Sequence, residues 1–435
     1  MDLYSELEWR ELIHSRTEGL PELLKHGEKP VTYIGFDPTA SSLHVGSLLP
    51  IVVLARVREL GHKVIALVGG GTGLIGDPSG KTSERTLQTT RIVTQNVKKI
   101  KAQLEEILRR AHVVAREHSY TENQRPGVLH FENNADWLRT LQAIKLMRDV
   151  GKHFTVNWML AKESIQSRLK SDSGISYTEF SYLLLQAYDF LTLFDRRRCV
   201  LQVGGSDQWG NITAGTELIR RTRNTKAHGI VFPLITTAAG HKFGKTEAGA
   251  VWLDNSLTKG YDFYQFWLNT DDRDAVRYLK FFTFLSQSRI AELEATAARE
   301  PEKRQAQREL AWEVTRVVHG DAVAREARAA TDALFGGDIS AMSVEQLLRI
   351  FPNAPSKTVP FQADGWRVQT FLTEGGLTKS ISQATQLIRS RSVSVNGRLF
   401  IEEFRRLTLP DAIEGKLFVI RKGKKDYLLI QVKSC

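Results

Sequence analysis

The sequence predicts an α/β protein: a parallel-sheet domain with a helical insertion, then an α-helical part and a small α+β unit. Three observations predict it. Up to about residue 240, short apolar strand-like runs alternate with helix-like segments, the pattern of a parallel sheet. From about 255 to 350 the apolar spacing is helical. Beyond Phe351-Pro-Asn-Ala-Pro355, which reads as a linker, a helical stretch leads into a hairpin signal. A length of 435 residues suits about three domains, and 42% apolar with 25% charged residues excludes a mainly disordered or collagen-like chain.

The elements follow in order. Val31–Phe36 is a short buried strand, leading through Asp37-Pro38-Thr39 to an apolar helix over Leu43–Leu60. Gly61-His62 breaks that helix, and Lys63–Val68 is the second strand. Residues 120–195 are more helical and form an insertion, ending in a helix over Tyr177–Phe194. Cys199–Val203 is the third strand. Tyr261–Trp267 and Asp274–Leu285 are amphipathic helices, and Ile290–Leu310 is a long charged one. Ser382–Arg389 is helical, and Val393–Phe400 carries Asn396-Gly397 between alternating apolar positions, a two-residue turn signal.

The formal net charge is +11, and +7 of it lies in residues 352–435. Such an excess suggests a polyanionic partner without naming one, and a solvated basic surface reads equally well. Two cysteines, Cys199 and Cys435, cannot build a disulfide scaffold, and no metal-ligating set is seen, so a reducing, cytoplasmic setting is expected. The acidic N-terminus lacks the look of a signal peptide, and the longest apolar run, Leu48–Ala55, is too short to span a membrane.

Two glycine-rich near misses need sorting. Gly71, Gly73 and Gly76 satisfy the dinucleotide fingerprint literally. However, Asp77-Pro78-Ser79-Gly80 follows as a turn where that motif needs a helix, and no acidic residue stands near position 96. Gly76 to Thr82 falls one residue short of a phosphate-binding P-loop. A glycine loop beyond a strand, with Lys81 and Arg85 behind it, still suits an anionic ligand. At the start of the next helix, Ser41 or Ser42 can cap, and free amides there attract phosphate. His44 sits in the first turn, and Gly46 lets a flat ring approach the backbone. Taken alone, the segment is equally a plain helix start. Pro50 predicts a bend in the second turn. On the helix over Tyr177–Phe194, Tyr182, Gln186 and Asp189 fall within an arc of about 60° on an otherwise apolar cylinder. A solvent face is wider and richer in charge, so this stripe suits a buried polar ligand better than a structural network.

Together these segments resemble the tyrosyl-tRNA synthetases of the bacterial and organellar type. His44-Val-Gly46-Ser47 is similar to the HIGH signature of class I synthetases, and Lys242-Phe-Gly-Lys245-Thr246 to the KMSKS signature. Gly35–Ala40, Gly69–Arg85, Phe180–Asp189 and Gly204–Asn211 match in order, and residues 356–435 resemble the S4 RNA-binding domain. The resemblance implies a Rossmann-like catalytic domain over 1–240, whose insertion at 120–195 supplies a homodimer interface. It implies a KMSKS loop and helical anticodon-binding domain over 241–350, a linker at 351–359 and an S4 domain over 360–435. It also implies ATP-dependent attachment of L-tyrosine to tRNA(Tyr) through a tyrosyl-adenylate, with Mg²⁺ accompanying the ATP and no membrane partner.

Roles carry over by the same resemblance. Tyr33 and Asp189 bond the phenolic hydroxyl of tyrosine. Tyr182, Gln186 and Asp77 hold its ammonium, Gln208 lies by its carboxylate, and Thr72 and Asn134 complete the pocket, with Gln202 behind it. Gly35, Asp37, Gly46, Gly205 and Asp207 border ATP. Thr39, His44, Ser47, Lys81, Arg85, Lys242 and Lys245 act on its phosphates, the last two from a mobile loop. Ser47 departs from the pattern, which has a second histidine there; the shorter hydroxyl implies a weaker or water-mediated contact. Arg389, Arg391, Arg398, Arg405 and Arg406, with Lys422, Lys424 and Lys425, are the expected RNA contacts. Two rival readings are a tryptophanyl-tRNA synthetase, which shares the fold but suits Tyr33 and Asp189 poorly, and a non-catalytic RNA-binding protein on the same scaffold.

Overall fold

The computed structural model describes residues 2–79, 86–121, 125–170, 174–238, 240, 243–246, 249–334, 339, 342–351, 354–423 and 426–433. The chain divides into two compact units, Met1–Gly320 and Asp321–Cys435. The helical stretch expected over 241–350 is therefore shared between them.

The first unit opens with α1 (Leu3–Trp9), β1 (Ser15–Arg16) and α2 (Leu20–Lys25). Then follow β2 (Val31–Phe36), α3 (Leu48–Glu59), β3 (Val64–Val68), α4 (Thr90–Glu117) and β4 (Leu129–Asn133). The insertion continues as α5 (Ala135–Leu138), α6 (Ala143–Asp149), α7 (Val156–Leu160), α8 (Glu163–Leu169) and α9 (Tyr177–Arg197). It leads to β5 (Cys199–Gly205), α10 (Trp209–Arg223) and β6 (His228–Phe232). The sheet order is β1-β6-β5-β2-β3-β4, parallel except for β1, which runs against β6. Every side chain of β3 is buried, as expected of a strand covered by helices on both faces. The chain leaves β2 toward β3 on one side and returns as β5 on the other. The switch point between β2 and β5 is where open α/β sheets hold ligands.

A short hairpin, β7 (Lys245–Thr246) and β8 (Gly249–Ala250), precedes α11 (Gly260–Leu268), α12 (Asp272–Phe282), α13 (Gln287–Arg299) and α14 (Gln305–His319). Two buried arginines fasten these helices to the sheet domain. Arg56 of α3 donates to the carbonyls of Phe281, Lys280 and Thr283 at 2.8, 3.1 and 2.6 Å. Arg10 donates to those of Lys280, Thr283 and Leu285 at 2.8, 3.1 and 2.8 Å. The end of α12 leaves carbonyls that its own turns cannot satisfy, and two guanidiniums fill that need with the favourable dipole sign. Burial, then the neighbouring Arg10, lowers Arg56 to about 9.

Three histidines of this unit, His62, His228 and His319, are buried; burial lowers all three, His62 and His319 to about 4. An unfolded histidine titrates near 6.5, so the unfolded chain binds the extra protons. Their stability is present above about pH 6.5 and is lost as pH falls toward 4, by at most about 3 kcal/mol each for His62 and His319. Thermal melts from pH 7 to 4 should show the loss, with a shallower slope in His62→Gln; an unchanged slope contradicts it.

The second unit contains α15 (Asp321–Leu334), α16 (Val344–Ile350), β9 (Ser356–Val359), β10 (Trp366–Arg367), α17 (Val368–Glu374) and α18 (Ile381–Arg389). After these come β11 (Val393–Val395), β12 (Arg398–Leu399), β13 (Arg406–Leu407), β14 (Leu417–Lys422) and β15 (Asp426–Val432). Five strands form a sheet in the order β12-β11-β14-β15-β9, and β10 pairs with β13. Its core is Trp366, Phe371, Leu372, Ile388, Phe418, Ile420 and Ile430. Asn396 and Gly397 have φ of 50° and 82°, as a type I′ hairpin turn requires.

Several expectations need correction. Ile290–Leu310 is two helices, because Pro301 cannot continue α13 and Arg304 turns left-handed at φ 49°. Residues 356–359, expected within a linker, are strand β9, and Phe351 packs on Tyr427 with ring centroids 4.9 Å apart. The helix expected from Leu43 starts as a 3₁₀ turn, Val45–Ser47, before α3. Its cap is neither Ser41 nor Ser42 but His44, whose Nδ1 accepts from the Gly46 amide at 3.0 Å. Pro50 is the third residue of α3, within the first turn, where no amide has a helical partner, so it breaks no helical bond and the cause of the expected second-turn bend is absent. Strands β1, β4 and β6 were not anticipated. No helix among the described residues is long and apolar enough to cross a membrane.

Candidate active site

A cavity of about 560 Å³ opens at the carboxyl ends of the central strands. Its wall takes Tyr33, Gly35 and Asp37 from β2 and the turn after it. Thr72 and Asp77 come from the glycine loop, Asn134 from the insertion, and Tyr182, Gln186 and Asp189 from α9. Gln202, Gly205, Asp207 and Gln208 come from β5 and its exit. The stripe read on α9 therefore faces a cavity, as its width and chemistry suggested.

Asp189 lies at the deep end, buried, with both oxygens engaged. Asn134 donates to Oδ2 at 2.8 Å and the Trp137 indole to Oδ1 at 2.7 Å. Burial raises its pKa to about 7, while these two donors favour the charged form. Its neighbour Tyr33 packs its ring on Phe190 at 5.2 Å, and its hydroxyl is buried with no hydrogen-bond partner among the described residues. Burial, then the charge of Asp189, pushes that phenol well above its ordinary pKa, so it remains protonated. Buried polar groups are nearly always paired. A phenol facing a carboxylate at the end of a cavity is a site for a polar ligand group that both donates and accepts.

A chain of bonds runs outward from there. Asn134 accepts from the Gly71 amide at 2.7 Å and donates to Thr72 Oγ1 at 2.9 Å. Thr72 donates to Asp37 Oδ1 at 2.7 Å, and Tyr182 donates to Asp37 Oδ2 at 2.8 Å. Gln208 donates to Asp77 Oδ2 at 2.7 Å, while Asp77 Oδ1 accepts from the Ser79 amide at 2.9 Å. Carboxylates and hydroxyl oxygens thus line the middle of the cavity, which suits an ammonium. Gly69 is essential here: a Cβ would lie 2.0 Å from Asp37 Oδ1 and 2.5 Å from Thr72 Oγ1.

The outer end is built by two segments far apart in sequence. Leu43–Val45 runs beside Val251–Leu253: Val45 N–H bonds the Val251 carbonyl and Leu253 N–H the Leu43 carbonyl, both at 2.9 Å. The ring of His44 meets that of Trp252 edge-on at 6.2 Å. With Nδ1 accepting from the Gly46 amide, Nε2 is the ring nitrogen that can donate a proton. Gly244 crosses directly over this turn at φ 83°, where a Cβ would lie 2.5 Å from Val45 Cγ2. Phe243, beside it, is buried among Phe266, Trp267, Tyr278 and Phe282.

His44, Gly46 and Ser47 line this outer end. Thr39 does not; it is exposed, and its carbonyl accepts from Gln88 at 2.8 Å. Lys81, Arg85, Lys242, Lys424 and Lys425 lie outside the described residues, and Lys245 stands in β7. Arg389, Arg391 and Arg398 belong to the second unit, with Arg389 bonded to Glu403 at 2.9 and 3.0 Å. Sequence reasoning missed Trp137, which no motif contains. Among the described residues no group of three His, Cys, Asp or Glu could hold a metal ion. Ser47 ends the 3₁₀ turn, with its amide bonded to the His44 carbonyl at 2.8 Å.

Known proteins of two kinds match. The family described as tRNA synthetases class I (W and Y) covers residues 25–336, and the tyrosine–tRNA ligase SYY-like C-terminal domain covers 346–430. The chain is 51% identical over 433 residues to the tyrosine–tRNA ligase of Roseiflexus castenholzii, covering 99% of each chain. It is 48% identical over 436 residues to that of Geobacillus stearothermophilus, covering 99% of this chain and 100% of the relative. Among solved structures, a C-terminally truncated mitochondrial tyrosyl-tRNA synthetase from Aspergillus nidulans superposes with a TM-score of 0.70 at 31% identity, over 77% of this chain and 94% of that one. By sequence over nearly its whole length, and by the fold of its first unit, the chain belongs to the tyrosine–tRNA ligases, within the class I aminoacyl-tRNA synthetases.

Proposed function

We propose that the cavity activates L-tyrosine with ATP and that the tyrosyl group then passes to tRNA(Tyr), the reaction of the family. A tyrosine carboxylate oxygen attacks the α-phosphorus, a new P–O bond forms, and the bond to pyrophosphate breaks. The terminal ribose hydroxyl of the tRNA next attacks the tyrosyl carbonyl and AMP leaves. No protein nucleophile is needed; binding, orientation and charge do the work.

The observation that carries this reading is the deep end of the cavity. The buried, unpartnered Tyr33 hydroxyl beside Asp189 fits a phenol, which can donate to the carboxylate and accept from Tyr33. Asn134 and Trp137 hold the carboxylate in place. Tyr182, Gln186 and Asp77 are assigned to the ammonium, supported by the ring of acceptors around Asp37 and Thr72. Gln208 is assigned to the carboxylate, with Gln202 behind it. Gly35, Asp37, Gly46, Gly205 and Asp207 border the nucleotide. His44, through its Nε2 proton, and Ser47 reach the phosphates. Thr39, Lys81, Arg85, Lys242 and Lys245 are assigned to the same phosphates from the family's motifs. Mg²⁺ arrives with ATP, as is usual for an ion that keeps its ligands on the phosphates.

Two further parts belong to the same reading. The insertion carries Ile144, Met147, Val156 and Tyr177 exposed, an apolar set that supports a homodimer through this region. Arg389, Arg391 and Arg398 are assigned to tRNA, and the location to the cytoplasm. The test is ATP–pyrophosphate exchange with tyrosine and with tryptophan. Exchange with tyrosine alone is expected; exchange with tryptophan contradicts the phenol assignment.

A further inference from the structure

The turn over Glu402–Arg405 displays an aromatic ring that nothing covers. Phe404 is 91% exposed, whereas Phe371, Phe400 and Phe418 of the same unit are buried. Its ring joins no ring or cation–π contact among the described residues. Two more apolar side chains of the same stretch, Leu399 and Ile401, stand 51% and 57% exposed.

The turn is held firmly. The Arg405 amide bonds the Glu402 carbonyl at 3.2 Å. The Glu403 carboxylate is gripped twice by Arg389 of α18, and its carbonyl accepts from Gln369 of α17 at 2.7 Å. Arg405 is tied to Asp411 at 2.8 Å. Phe404 is thus presented from a turn pinned to two helices, with its ordering cost already met by the fold. Arg405 and Arg406 follow it directly, in a stretch, residues 352–435, of net charge +7. A ring standing out from a stretch of net charge +7 suits a polyanion that also offers a flat apolar face. Paired RNA presents phosphates and hydroxyls, but an unpaired base presents a face for stacking.

We propose that Phe404 stacks on an unpaired nucleobase of the tRNA, with Arg406, which donates to the carbonyls of Asp364 and Gly365, at an adjoining phosphate. This rests on reading the second unit as tRNA-binding. The test uses the full-length protein and a tRNA(Tyr) transcript, with the dissociation constant measured across a salt series. Phe404→Ala should weaken binding about tenfold at fixed salt, with the slope of log Kd against log salt unchanged. Phe404→Trp should restore the affinity, and Arg406→Gln should reduce the slope by about one. An exposed ring adds little to folding, so melting of Phe404→Ala should match the parent. Parent binding with Phe404→Ala unaffected, or Phe404→Trp as weak as Phe404→Ala, overturns the stacking alone. A changed sedimentation profile with unchanged Kd overturns it in favour of contact between copies. Absence of salt-dependent binding by the parent overturns the tRNA reading, and the stacking with it.

Discussion

Replacing Asp189 with alanine is expected to abolish tyrosine-dependent pyrophosphate exchange, a loss of at least about 10³-fold in kcat/KM. The carboxylate is the proposed acceptor for the substrate phenol. Its removal also strands the Asn134 amide and the Trp137 indole, both buried and both bonded to it. Several unpaired buried donors at ~1–3 kcal/mol each account for the size of the effect. Tyr33→Phe should act differently. It removes one bond to the phenol and leaves the pocket filled, so tyrosine still reacts while discrimination against phenylalanine shrinks. Tyrosyl enzymes are themselves the known case of such a site, rejecting phenylalanine by ~10⁵, a magnitude borrowed from them. The acceptor also titrates: Asp189 is raised to about 7 by burial. As pH falls through that value the free enzyme takes up a proton, and KM for tyrosine should rise toward tenfold per pH unit. A flat KM between pH 8 and 6 contradicts the assignment.

The second large effect is expected at Gly244. This residue lies at φ 83° against Val45, with room for no Cβ. Gly244→Val must lift the strand bearing Lys245 away from the turn bearing His44, since the backbone cannot take this φ cheaply with a branched side chain. A displacement of about 1 Å between groups acting on one phosphate chain costs on the order of 10²-fold in rate. The loss should fall on kcat for adenylate formation, with KM for tyrosine nearly unchanged, because the proposed tyrosine pocket is at the other end of the cavity. Equal losses in both would mean that the substitution disturbs the whole domain.

The parts legible from periodicity share one property: a regular element carries them, whereas Asp37, Thr72 and Asp77, on a turn and the glycine loop, were legible only through motif resemblance. Tyr182, Gln186 and Asp189 could be put on one face because α9 runs without interruption from Tyr177 to Arg197. The strand over Val31–Phe36 was visible for the same reason. Trp137 was not, because its bond to Asp189 depends on β4 and α5 carrying a segment 52 residues upstream against α9. Strand β4 is five residues long, and the alternation of Leu129-His130-Phe131-Glu132 is too short to stand out, while β1 is only two residues long. The cap at His44 escaped because an imidazole rarely does what serine usually does. The contact between Gly244 and Val45 joins positions about two hundred apart, where glycine in one segment reports on a neighbour that no local pattern names.

Pyrophosphate exchange measured across the twenty amino acids tests the central claim most directly, because it isolates the first chemical step from any contribution of tRNA. Exchange should be supported by tyrosine, stay at background with tryptophan and phenylalanine, and gain phenylalanine only when Tyr33 becomes phenylalanine. Exchange driven by tryptophan, or none with any amino acid, would contradict the account.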